Sequence, residues 1–145
     1  MRIKRFESFS TKKFVWIHGL PGSGKTYLAN QMNKNNDYTI LDDINNMSKV
    51  QAEMDKGSNI ILSSPYFEKY IGMMSQEARL RKALESSDYQ LEEIWFENNP
   101  QNCIKNINNR VGHNIRANIL APEVIELSYR YIIPEGSKVI PVWTK

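Results

Sequence analysis

The chain has 145 residues, 41% of them hydrophobic and 24% charged, with a formal net charge of +3. That is the profile of one globular domain with a sizeable core, and the mild basicity permits contact with phosphates without establishing a nucleic-acid partner. No window approaches the run of about 18 apolar residues needed to span a membrane, the basic start lacks the apolar stretch of a signal peptide, and the single cysteine, Cys103, excludes a disulfide framework or a clustered-cysteine zinc site, so a reducing, cytoplasmic setting is expected.

In chain order, residues 14–18 (FVWIH) form a continuous apolar run, the mark of a strand buried on both faces. Residues 24–33 follow as a helix with Leu28, Ala29 and Met32 on one side. A second strand is expected at 38–41, ending in Asp42 and Asp43, and then a helix at 44–56 stopped by Gly57. A third strand, 59–62, runs into Ser63, Ser64 and Pro65, and residues 66–86 read as mostly helical with a break at Gly72. The fourth strand is 91–96, and the helix at 101–110 has Pro100 near its first turn. Residues 111–121 carry no clear period. A helix at 122–132 with Pro122 in its first turn and a strand at 139–143 close the chain. Two basic clusters, one in the first 13 residues and one of Arg79, Arg81 and Lys82, read as solvated surface.

Strands alternating with helices predict an α/β fold with a central parallel sheet of about five strands and right-handed crossovers. No repeat or linker divides it, so a single domain over 1–145 is expected. Ligands bind such sheets at the carboxyl ends of the strands. That rule singles out residues 19–26, the Asp42–Asp43 pair, Ser63 with Ser64, and Glu97 with Asn98.

The first of these segments, Gly19, Leu20, Pro21, Gly22, Ser23, Gly24, Lys25 and Thr26, matches G-x-x-x-x-G-K-S/T, the P-loop or Walker A pattern, between a strand and a helix. Each residue type has a mechanical reason. Glycines allow positive φ and let the backbone approach a ligand. Successive N–H groups then form an anion nest, reinforced by the helix start. Lys25 would reach the β- and γ-phosphates, and the Thr26 hydroxyl would ligate a magnesium ion. The expected ligand is ATP with Mg2+. His18, beside the loop, reads as a packed, hydrogen-bonded histidine rather than a catalytic one.

Around this loop the chain resembles the 5′-kinase domain of phage polynucleotide kinases and their nucleotide-kinase-like relatives. The stretches TILDDINN, IWFENNPQNCIKNINNRVG, LAPEVIELSYRY and KVIPVWTK carry the likeness. The resemblance implies a three-layer P-loop NTPase kinase fold and transfer of the γ-phosphate of ATP to a hydroxyl of a nucleic-acid or nucleotide acceptor. For a phage-encoded protein it implies the host cytoplasm. It makes Asp42 the base for the accepting hydroxyl and Arg110 the lid arginine that reaches the transferring phosphates. Arg116, across the VGHNI stretch, becomes a second nucleotide contact, with the lid at about 111–121 and His113 exposed within it.

Three departures stand out. Ser63 and Ser64 occupy the place of the family's third-strand acid, Asn45 and Asn46 that of an acceptor-binding arginine, and Asn106 that of a basic residue near the lid. Asp43 is expected to cap the helix that starts near Ile44. Tyr66, Phe67 and Tyr70 are either core or the wall of an acceptor-base pocket, Trp95 and Phe96 are core, and Trp143 would lie near the nucleotide base. Two rival functions remain open: a kinase of a small metabolite, nucleoside or nucleotide on the same fold, and a catalytically degenerate nucleotide-binding protein acting through protein contacts.

Overall fold

Strand β1 (Lys13–His18) forms the middle of the sheet and is buried from Phe14 to His18. The computed structural model of the chain describes residues 12–111 and 115–142, with backbone alone at 110, 111 and 115–120. β1 pairs in parallel with β3 (Ile60–Ser63) on one side and β4 (Gln90–Phe96) on the other. β2 (Thr39–Asp42) and β5 (Val139–Ile140) close the edges, giving the all-parallel order β2-β3-β1-β4-β5. The register sets Trp16 beside Leu62 and Glu93, His18 beside Trp95, and Asp42 beside Ser63.

Helices cover both faces, as parallel strands apolar on both sides require. On one face Val15, Ile17, Ile61, Ile94 and Phe96 pack with Ala29, Leu28 and Met32 of α1 (Lys25–Met32). On the other, Phe14, Trp16, Ile60 and Leu62 meet Val50 and Met54 of α2 (Met47–Asp55) and Leu80 and Leu84 of α3 (Glu77–Glu85). This is the expected three-layer α/β architecture. A third cluster joins Leu20 and Trp95 to Cys103 and Ile107 of α4 (Pro100–Val111) and to Val124 and Leu127 of α5 (Ile115–Ser128). Among the described residues no helix is long and apolar enough to cross a membrane.

Three expectations change. α2 starts at Met47, and its cap is Asn46, whose side chain accepts from the Lys49 N–H at 3.0 Å. Asp43 is not the cap. It sits at φ 57°, and its own N–H donates to the Ser63 carbonyl at 3.2 Å. Of the long helix expected over 66–86, only Glu77–Glu85 is α-helical. Pro65–Phe67 is a 3-10 turn capped by Ser64, the chain is extended at Glu68, and Tyr70 bridges antiparallel to Tyr131. Pro65 and the positive φ of Gly72 (80°) bracket this stretch, and tertiary pairing replaces the helical bonds. Finally, Pro122 lies inside α5 rather than in a first turn. Trp143 lies outside the described residues.

Replacing an N-cap side chain by alanine costs about 1 kcal/mol. Asn46→Ala should lower the unfolding free energy by that much in urea titration, whereas Asp43→Asn, which tolerates the left-handed backbone and loses no cap, should stay within about 0.5 kcal/mol of the wild type.

Candidate active site

The loop between β1 and α1 is held by its backbone. Ser23 N–H donates to the Leu20 carbonyl at 3.1 Å, Gly22 takes φ 86° and Gly24 φ 109°. Gly24 is also the N-cap of α1 and offers no side chain to its first N–H groups, which stay available to an anion. From the side, α4 braces the loop. The Asn106 side-chain amide donates to the Gly22 carbonyl at 2.9 Å. A Cβ on Gly22 would run into the Cys103 carbonyl and the Ile107 side chain, so only glycine fits there. Asn106 therefore supports the loop, a role that sequence reasoning did not assign to it.

Lys25 folds back over this cradle and donates to the carbonyls of Gly19 at 2.7 Å and Leu20 at 3.3 Å. Burial pulls it below the ordinary lysine value, against the opposing charges of Glu68, Asp43 and Asp42. The next residue makes the contact that unites the site. Thr26 Oγ1 donates to Asp42 Oδ2 at 3.1 Å, so the end of the loop meets the end of β2. The Asp42 carboxyl is raised from its ordinary value by partial burial and by Asp43, while the Thr26 bond and Lys25 act the other way. Beside Asp42, Ser63 is buried with its hydroxyl unpartnered among the described residues, where an acid was expected in the family pattern. Ser64 instead ties the end of β3 to the loop after β2 by donating to the Ile44 carbonyl at 2.6 Å.

Among the described residues no group of three or more histidine, cysteine or carboxylate side chains could hold a metal ion alone. Magnesium usually takes one or two protein oxygens and completes its shell with water and substrate phosphates. The hard-oxygen pair of Thr26 and Asp42 fits that requirement.

Under the loop runs a chain of buried charges that the sequence did not reveal. His18 is 1% exposed, with Nδ1 3.0 Å from Glu68 Oε1 and Nε2 2.8 Å from Glu93 Oε1. Both ring nitrogens face carboxylate oxygens, an arrangement that favours the imidazolium, in which both donate. Its ring stacks on Trp95 at 3.7 Å. Arg81 grips both oxygens of Glu93 at 2.8 and 3.0 Å, donates from Nε to Glu77, and lies 4.6 Å over the Trp16 ring. The expectation of a packed histidine holds, while Arg81 is half-buried in this network rather than free in solvent. Phe67, Tyr70, Trp95 and Phe96 are core, and Tyr66 is exposed.

Arg110 ends α4 and Arg116 begins α5, but their side chains, and all of His113, lie outside the described residues. A cavity of about 760 Å³, lined by Lys12, Met54, Ala83 and Tyr89 among others, opens at the opposite, amino edge of the sheet and shares no residue with this site.

The strand order, the glycine-rich loop leading into α1 and the acid at the end of β2 can be set beside known structures. The fold is shared with two solved kinases. A gluconokinase from Sinorhizobium meliloti 1021 matches with a TM-score of 0.60 over 92% of this chain and 84% of its own, at 12% identity. A fungal RNA kinase matches with a TM-score of 0.51 over 90% of this chain and 75% of its own, at 14% identity. The likeness at these identities is one of fold, and it does not single out the phage polynucleotide kinases. No protein-family model and no curated protein matches the sequence.

The buried charges give stability a pH signature. Burial alone would lower His18, but the Glu68 charge and the bonds to Glu68 and Glu93 outweigh it and hold the ring above its ordinary 6.5. Burial alone would raise Glu93, but bonds from His18 and Arg81 bring it from 4.5 to about 2. A raised histidine stabilises the fold fully below its unfolded value and loses that contribution as pH rises through the folded one. A depressed glutamate does so above its unfolded value and loses it as pH falls toward the folded one. The joint contribution is therefore greatest between 4.5 and 6.5. Urea midpoints of the wild type should fall from about pH 6 to pH 8 relative to those of His18→Gln; parallel curves would mean that His18 is neutral.

Proposed function

We propose that the protein is an ATP-dependent phosphotransferase that moves the γ-phosphoryl group onto a hydroxyl of a nucleic-acid or nucleotide acceptor. The observation that carries this reading is the Thr26–Asp42 hydrogen bond, which brings the phosphate end of the loop and a candidate base within one contact.

In this reading the loop N–H groups and the start of α1 cradle the phosphates. Lys25 leaves the Gly19 and Leu20 carbonyls and donates to the β- and γ-phosphate oxygens, exchanging neutral acceptors for charged ones. Thr26 and Asp42 would hold magnesium, which supplies charge neutralisation on those oxygens when bound. Asp42 takes the proton of the accepting hydroxyl. The backbone near 111–121 serves as the lid, with Arg110 and Arg116 closing over the transferring group. Catalysis is then positioning and electrostatics, as phosphoryl transfer requires.

A second reading, a small-metabolite kinase, is favoured by one observation. The arginine expected after the acid pair is absent, and Asn46 is committed to capping α2. Asn45 and Asn46 stand where a cation would grip an acceptor phosphate.

Calorimetric titration with an ATP analogue and magnesium, followed by ATP turnover against oligonucleotides, nucleosides, mononucleotides and sugar acids, tests both readings. Nucleotide at 100-fold over its dissociation constant should stabilise the fold by about 2.7 kcal/mol. Lys25→Ala should abolish that gain without unfolding the protein. Asp42→Asn should keep nucleotide binding and lose about 10²–10⁴ in transfer rate. Wild-type transfer by Asp42→Asn would remove it as base, and no binding at millimolar nucleotide would end the kinase reading.

A further inference from the structure

The segment after β3 carries two buried polar groups that the reaction above does not use. Glu68 is 1% exposed, and while its Oε1 is held by His18 at 3.0 Å, its Oε2 has no partner among the described residues. Tyr70 is 4% exposed, and its hydroxyl is also without a partner among the described residues. Bare polar atoms inside a protein are costly and rare, and each asks for an explanation.

Position supplies one. Glu68 takes extended dihedrals (φ −86°, ψ 144°) two residues before Tyr70, and after burial it is the Glu68 charge that does most to push the Tyr70 hydroxyl up, so the two groups lie near each other. Glu68 reaches the last residue of β1, and Tyr70 packs in the cluster that contains Leu20 of the glycine-rich loop. Both groups thus belong to the carboxyl edge of the sheet, where substrates of such folds bind. Here one oxygen is fixed, with His18 stacked on Trp95 and backed by Glu93 and Arg81, and the other is left bare.

Resting on the kinase reading, we propose that Glu68 and Tyr70 form an acceptor subsite for a neutral hydroxyl of a sugar or polyol, which donates to Glu68 Oε2 and accepts from Tyr70 Oη. The chemistry of the pair selects that group. Glu68 repels an anion, and the positive charges of Lys25 and His18 disfavour a second cation. One acceptor beside one donor matches an O–H. Asp42 keeps the reacting hydroxyl, and Glu68 holds a neighbouring one, so the acceptor carries at least two.

The test follows ADP release with D-gluconate, D-ribose and a 5′-hydroxyl RNA oligonucleotide, beside titration of a non-hydrolysable ATP analogue, in the wild type, Glu68→Gln and Tyr70→Phe. The wild type should turn over at least one probe, and KM for that probe should rise about tenfold in each variant while the dissociation constant of the analogue does not weaken. Tyr70→Phe removes only an unpartnered hydroxyl, so its unfolding midpoint should not drop, which separates lost recognition from lost folding. An unchanged KM in Glu68→Gln, or nucleotide affinity that falls in step with KM, would overturn the subsite and leave Glu68 a structural ion. So would a wild type that binds the analogue but turns over none of the probes. A wild type that binds no analogue removes the kinase reading, and this proposal with it.

Discussion

A strand buried on both faces has little freedom in where it ends, and the site depends on that constraint. β1 is gripped by β3 and β4 across the sheet and by helices above and below. Its last residue delivers the glycine-rich loop to one point in space. α4 then braces the loop from the side through Asn106 and the close approach at Gly22. With the backbone restrained on both flanks, the N–H groups of the loop are preorganised, and an anion entering it need not order them. Lys25, parked on its own loop carbonyls, is the one long side chain in the loop that must move.

The ionic chain beneath the loop is a different kind of restraint. Taking charges out of water costs several kcal/mol per ion, and only good geometry with further hydrogen bonds offsets it. The Arg81 fork, the doubly bonded imidazolium and the flanking indoles of Trp16 and Trp95 supply that geometry. A hydrophobic filling of the same volume would be as stable. What it would not give is a fixed relation between α3, the end of β1 and the segment after β3. Ionic partners define orientation where apolar ones allow sliding.

Legibility in the sequence followed the range of the forces. The loop was readable because its chemistry is local: glycines, lysine and threonine at fixed spacing between a strand and a helix. The sheet was readable because strands buried on both faces write continuous apolar runs, and Asp42 was readable from the strand-end rule. The His18 chain was not, since its partners lie 50 and 75 residues away and no local pattern announces them. The stretch from Tyr66 to Tyr70 was misread because its aromatic spacing fits a helix, while the bridge to Tyr131 and the Ser64 cap favour a turn and an extended chain. Asp43 looked like a cap by residue type, but its N–H is taken by β3 and its backbone is left-handed, which moved the cap to Asn46.

The His18–Trp95 stack, nearly parallel at 7°, has an optical consequence. A protonated imidazole in face contact with an indole drains its excited state, whereas the neutral ring does so far less. Trp95 emission should therefore be dim while the buried chain is charged and bright once His18 loses its proton. The protein carries its own label at the foot of the glycine-rich loop, and light alone can report whether the charges beneath it are intact.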